Sequence, residues 1–225
     1  MSSGMQFTRG ALFDLDGVLV DSLAVMRLAF EGAYRDVYGA DGTDLQRLFG
    51  RFRNHLGEGL ESIVAALGLS AALIPHFRRH SRALSPQVRV YPGVRDMLRA
   101  LSLRGWVLGV ATGKDHERAD ELLRALDLRQ RFAVVLGCDS VPRPKPAPDM
   151  VDTFCCRTGM AARNVVMIGD APADLRCARS GGCRSVAALW GFNTAERLKQ
   201  EHPDAMAATP SGLMRLLLRL QECEA

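Results

Sequence analysis

The sequence predicts an α/β fold, a doubly wound parallel sheet with a small α-helical unit inserted after the first strand. Three observations carry this. Short unbroken apolar runs bounded by turn residues recur from residue 88 onward, as expected of strands buried on both faces of a parallel sheet. Segments with one apolar helical face separate them. Residues 21–87 break the alternation, showing helical periodicity and no convincing strand.

The first strand is read at 11–15, where Ala11, Leu12 and Phe13 lead into Asp14, Leu15, Asp16 and Gly17. In the insertion, Leu56, Leu60, Ile63, Val64 and Leu67 recur at helical spacing. Val94, Met97, Leu98 and Leu101 then fall at i, i+3, i+4 and i+7, marking a helix with one buried face. The run WVLGVAT (106–112) is the next strand, and Ala119, Leu122, Leu123 and Leu126 mark the helix after it. FAVVLGC (132–138), NVVMIGD (164–170) and SVAALWG (185–191) complete the set of strands. Residues 1–20 and 88–225 are therefore expected to form the core domain, and 21–87 a helical domain set into it. Alternating strands and helices place ligands at the carboxyl ends of the strands.

At 225 residues the chain suits one large domain or a domain with an insertion, burying roughly 70% of its extended surface. A composition of 48% hydrophobic and 24% charged residues with a net charge of +4 gives no sign of nucleic acid as a partner, since no basic run interleaved with aromatics occurs. No apolar stretch reaches the roughly 20 residues needed to cross a bilayer, so no membrane partner is expected. The six cysteines show no CxxC spacing and no leader is read, which suggests a reduced, cytoplasmic setting and thiols that are incidental core or surface. The start, MSSGMQFTRG, reads as a frayed end. Only Lys114, Lys145 and Lys199 are lysines among 29 basic residues, so a lysine that survives is a candidate for a needed ammonium.

Residues i and i+2 of a strand share a side, so Asp14 and Asp16 approach each other where the sheet ends. Carboxylates about 5 Å apart repel by roughly 3 kcal/mol at an effective dielectric of 20. A shared proton, a lysine or a divalent cation must compensate, and hard oxygen ligands favour Mg²⁺ among metals. The other strand ends also carry groups suited to anionic oxygen chemistry: Thr112, Gly113 and Lys114, then Lys145 between prolines, then Asp170 and Asp174.

ALFDLDGVLVDS, VATGK, RPKPAPD and MIGDAPADL, in that order, resemble the four motifs of the haloacid dehalogenase superfamily, in its phosphoglycolate phosphatase-like branch with a helical cap. The resemblance spans essentially the whole chain. It implies a HAD-like Rossmannoid core, a Mg²⁺-dependent phosphatase and a small-molecule phosphate monoester as substrate. Asp14 would be the nucleophile forming an aspartyl-phosphate and Asp16 the general acid and base. Thr112, Gly113 and Lys145 would hold the phosphate. Asp14, Asp170 and the backbone carbonyl of Asp16 would hold the metal. Asp174 is read as lying behind these ligands, as a helix cap, or as a direct ligand. Lys114 fits either the site or a solvated helix start. Position 171 is alanine where relatives often carry serine or threonine, which would loosen the hold on the metal.

The cap is expected to dip a loop into the site after Gly50, with Arg51, Arg53 and His55 as candidates for gripping the substrate, while HFRRH (76–80) is read as surface. Phosphoglycolate, a sugar phosphate, a nucleotide-like monophosphate and a natural-product intermediate all remain open as substrates, as do a monomer and a homodimer. Asp16 argues against a dehalogenase. A phosphosugar mutase of the β-phosphoglucomutase type would usually carry histidine where this chain has Met26, although Arg53 sits where such caps bind phosphate. A phospho-accepting signalling protein or a catalytically silent binding protein would lack the cap or the full set of catalytic residue types.

Overall fold

The structure, a computed structural model, describes residues 9–40 and 42–222; most of the expected frayed start and Cys223 lie outside the described residues. In chain order the first elements are β1 (Gly10–Phe13), β2 (Val20–Asp21), α1 (Leu23–Tyr38), α2 (Leu45–Arg53), α3 (Leu60–Ala66), α4 (Leu73–Ala83) and β3 (Arg89–Val90). There follow α5 (Val94–Leu103), β4 (Val107–Ala111), α6 (His116–Ala125), β5 (Val134–Leu136), α7 (Asp149–Thr158) and β6 (Val165–Gly169). The last are α8 (Pro172–Ser180), β7 (Arg184–Ala188), α9 (Ala195–Lys199), β8 (Ala205–Ala207) and α10 (Pro210–Glu222).

The six-stranded sheet runs β5-β4-β1-β6-β7-β8 with every neighbouring pair parallel, as the apolar runs require. β1 carries no polar side chain and is buried along its length, which suits it to the middle of the sheet. Its Phe13 registers with Val110 on one side and Ile168 on the other. The Asp14 amide donates to the Ile168 carbonyl at 2.8 Å, so pairing continues one residue past β1 and fixes Asp14 at the strand mouth. Gly17 then turns the chain at φ +87, a conformation that favours glycine.

Two features escaped the sequence pattern because they are too short to show a period. β8 adds a sixth strand, and β2 pairs antiparallel with β3, Val20 opposite Val90 and Asp21 opposite Arg89. The strand expected at 132–138 shortens to Val134–Leu136, and the one at 185–191 ends at Ala188. Beyond it Trp190 anchors the chain by donating from Nε1 to the Val18 carbonyl at 3.1 Å.

Helices α1 to α4 lie between β2 and β3 in the chain and have their own apolar core, in which Phe30, Phe49, Phe52 and Phe77 meet. The Phe30 and Phe52 rings lie 4.9 Å apart by centroid, and Phe52 lies 5.7 Å from Phe77, within the range of favourable aromatic pairs. The Asp44 side chain caps α2 by accepting from the Arg47 amide at 3.0 Å. HFRRH is therefore only partly surface. Phe77 belongs to the aromatic core, and the His80 ring lies against Gly32 with its Nε2 2.6 Å from Asp36 Oδ2.

No helix among the described residues is long and apolar enough to cross a membrane. The described cysteines are free thiols, and burial pushes Cys177 and Cys183 up to about 12.

Under the sheet, Phe154 of α7 is fully buried against the bare Cα of Gly109 in β4; a Cβ there would stand 2.5 Å from its ring. Gly109→Ala is expected to destabilise the fold by about 1–3 kcal/mol through overpacking. Urea unfolding checks this, and an unchanged midpoint would show that Phe154 can yield.

Candidate active site

The carboxyl ends of β1, β4 and β6 bring together groups distant in the chain. Asp14, Thr112, Lys145, Asp170 and Asp174 are all buried there. Lys145 reaches in from the loop before α7, its Nζ donating to Asp14 Oδ1 at 2.9 Å, to Asp174 Oδ1 at 2.6 Å and to the Ala111 carbonyl at 2.9 Å. All three ammonium hydrogens are thereby used. Burial pulls this ammonium toward neutrality, but Asp14 and Asp174 hold it above the ordinary lysine range.

Asp174 sits in the first turn of α8, where its Oδ2 accepts from the Ala171 amide at 3.0 Å. Both its oxygens are engaged, so it positions Lys145 and caps the helix. Asp170, at the mouth of β6, accepts from the Phe192 amide at 2.6 Å. Its carboxyl fills the space above Gly17 and beside Gly191; a Cβ on either glycine would come within 2.3 Å of it.

Carboxylate oxygens of Asp14, Asp170 and Asp174 lie within 4.8 Å of one another. Three buried carboxylates face one buried ammonium, and the imbalance shows in their protonation. Burial pushes Asp14 up to about 7; Lys145 opposes this, while Asp174 and Asp16 add to it. Asp170 is raised well above the ordinary range by burial first, and then by Asp14 and Asp174. A cluster of hard oxygen donors with surplus negative charge is suited to a divalent cation such as Mg²⁺.

Asp16 stands across the cavity, less buried than Asp14. Ser22 donates its hydroxyl to one oxygen, and the Lys114 ammonium pairs with the other. Lys114 is thus part of the site rather than a solvated helix start. Burial pulls its ammonium down, with Asp16 opposing. Its signal was present in the sequence: it is one of three lysines and directly follows a strand end. Thr112 closes the floor, its hydroxyl accepting from the Lys114 amide at 3.2 Å.

Above the floor, Met26, Phe52, Leu56, Leu60, Ile63 and Phe77 roof the cavity. The loop after α2 does reach the floor, but through Gly57 and Glu58. A Cβ on Gly113 would stand 2.2 Å from the Glu58 carbonyl, and one on Gly57 (φ +100) would stand 2.7 Å from the Ala171 Cβ. Alanine at 171 therefore faces the incoming loop, where a larger side chain would meet it. Arg51, Arg53 and His55 are not among the residues lining this cavity. The period of α2 turns Phe49 and Phe52 inward and leaves Arg51 and Arg53 exposed. His55 lines a separate groove with Asn54 and Arg197, its Nδ1 3.4 Å from Glu58 Oε1.

The chain is similar to known proteins over most of its length. The family model described as haloacid dehalogenase-like hydrolase matches residues 11–188. A phosphoglycolate phosphatase of Xanthomonas campestris pv. campestris is 36% identical over 199 residues, covering 85% of this chain and 88% of that one. The "Probable phosphatase IndB" of Dickeya dadantii is 34% identical over 222 residues, covering 93% of this chain and 94% of its own. Among solved structures, a haloacid dehalogenase-like family hydrolase of Streptococcus pneumoniae has a TM-score of 0.80 at 26% identity, covering 95% of this chain and 100% of that chain.

The carboxylate cluster fixes the sign of a pH effect. As pH rises from about 4 toward 7, the unfolded Asp14 and Asp170 ionise while the folded, cation-free protein keeps their protons, so its stability falls. A divalent cation favours the ionised cluster, so the rise in Tm caused by Mg²⁺ is expected to be larger at pH 8 than at pH 5. Asp170→Asn should raise the Tm in chelator at pH 8 by roughly 2–6 °C, equivalent to about 1–2 kcal/mol, and remove the Mg²⁺ response. Scanning fluorimetry decides; an intact response in the variant would take Asp170 out of the cation site.

Proposed function

The chain belongs to the haloacid dehalogenase-like hydrolase family, and within it we propose a Mg²⁺-dependent phosphatase that cleaves a small-molecule phosphate monoester through an aspartyl-phosphate on Asp14. The observation that carries this reading is one cavity in which Asp14, Asp16, Thr112, Gly113 and Lys114 share a floor, with Lys145 locked to Asp14 beneath it.

Asp14 attacks phosphorus, and the bond from phosphorus to the ester oxygen breaks. A carboxylate suits this step because it needs no separate base and yields an acyl phosphate open to water. Asp16, aimed by Ser22 and Lys114, gives its proton to the departing alkoxide. It then takes a proton from the water that attacks the acyl phosphate, which releases phosphate and restores Asp14.

Thr112 and the Gly113 amide grip the phosphoryl oxygens, and the Lys145 charge steadies both the nucleophile and the oxygens it acquires. The carboxylates of Asp14 and Asp170 and the carbonyl of Asp16 would hold Mg²⁺, with Asp174 keeping Lys145 in line. When bound, the cation neutralises negative charge on the transferring group and keeps Asp14 ionised. Residues 21–87 act as a cap whose closure excludes water and presents the roof to the organic group.

Asp14→Asn is expected to reduce phosphate release from aryl phosphates below detection while keeping the wild-type circular dichroism spectrum. Asp16→Asn should lower kcat by about 10²–10⁴-fold, and chelator should abolish turnover reversibly. Wild-type rates in Asp14→Asn would end the aspartyl-phosphate assignment, and full activity in chelator would end the role of the cation.

A further inference from the structure

We infer that the organic group of the substrate is neutral and apolar, so that monophosphates of uncharged hydrophobic alcohols are favoured over phosphoglycolate; this rests on the phosphatase reading above. The cavity encloses about 50 Å³ and opens to solvent at its mouth, so an organic group would extend from the phosphate along the roof toward that mouth. The roof of the cavity is aliphatic and aromatic in six side chains, Met26, Phe52, Leu56, Leu60, Ile63 and Phe77, with Ser81 and Arg118 at its edge.

The distribution of charge is the second argument. Each cationic side chain at the cavity is already engaged by a carboxyl group of the protein. Lys114 pairs with Asp16, and Lys145 beneath the floor is shared by Asp14 and Asp174. Arg118, buried at the edge of the roof, donates to the Ser81 hydroxyl at 2.7 Å and to Asp115 at 3.4 Å, and lies 5.9 Å from the Phe77 ring centroid. Arg78 adds a second cation to Asp115 from the helical layer, donating at 3.2 Å. The remaining charged lining residue outside the floor, Glu58, is anionic.

A carboxylate next to the phosphate, as in phosphoglycolate, would therefore meet apolar side chains and Glu58. It would leave water and gain a cation only by displacing Asp16 from Lys114 or Asp115 from Arg118. An alkyl or aryl group instead loses only its hydration. Each methylene buried under the roof should raise kcat/KM about fourfold.

The test compares kcat/KM with Mg²⁺ for ethyl, hexyl and benzyl phosphate and 2-phosphoglycolate, all monoesters of primary alcohols, so that leaving-group chemistry is similar. Hexyl and benzyl phosphate are expected to exceed phosphoglycolate by at least about thirtyfold and to exceed ethyl phosphate as well. Leu56→Gln and, independently, Met26→Gln should each shrink the advantage of hexyl phosphate over phosphoglycolate by about tenfold. If either variant fails to fold, the wild-type panel and the other variant still decide. Phosphoglycolate cleaved as well as or better than the apolar esters would overturn the inference and leave the phosphatase intact. Hydrolysis of none of the four esters, nor of an aryl phosphate, would remove the phosphatase reading and the inference with it.

Discussion

One buried ammonium organises the site. Lys145 ties the end of β1 through Asp14, the end of β4 through the Ala111 carbonyl and the start of α8 through Asp174. These contacts join segments up to 131 residues apart in the chain, so they form only when the sheet order and register are right. A one-residue slip of β1 would turn Asp14 to the other face of the sheet and leave the ammonium buried without its partner. Breaking a buried pair in that way costs about 3–5 kcal/mol. The apolar strands supply the driving force for folding, and Lys145 makes one register worth more than its neighbours.

The same interaction leaves the site short of positive charge. Lys145 has three hydrogens and spends one on a carbonyl, so it serves only two of the three clustered carboxylates. Asp170 is left with the Phe192 amide as its compensation. Protons complete the balance at low pH, and on the proposed reading a divalent cation does so at higher pH. On the proposed reading, the protein tolerates an unfavourable cluster at neutral pH because the arrangement that destabilises it is also the one that would hold a cation beside Asp14. Phe192 joins the two layers here, since its side chain belongs to the aromatic core of the helices while its amide restrains Asp170.

The floor was legible in the sequence because its residues stand at the ends of apolar runs, and a run of four or five buried residues leaves little freedom in where the next side chain points. Asp14, Thr112 and Asp170 follow this rule directly. Lys145 was legible for another reason, its scarcity as a lysine between prolines. The roof was less legible. Periodicity marked Leu56, Leu60, Ile63, Val64 and Leu67 as a helical face but passed over Phe49 and Phe52 of α2, and attention fell on Arg51, Arg53 and His55 because charged residues are conspicuous in a string of letters. What reaches the floor is the backbone of Gly57 and Glu58, and a backbone contact has no side-chain signature. β2, β3 and β8 escaped because two or three residues cannot display a period.

The division between floor and roof has a further consequence. On the proposed reading, the floor meets only features that every phosphate monoester shares, so discrimination falls to the roof. The roof side chains Phe52 and Phe77 are also central members of the aromatic core of the helical layer. Enlarging or polarising the cavity at those positions would remove packing along with specificity, at a cost of about 3–5 kcal/mol for loss of a large aromatic side chain. Met26 and Leu56 belong to the same core but carry smaller side chains outside its set of aromatic contacts, so a change there removes less packing. On that reading substrate preference would drift most readily through Met26 and Leu56, while the aromatic centre of the roof is held in place by the stability of the helical layer.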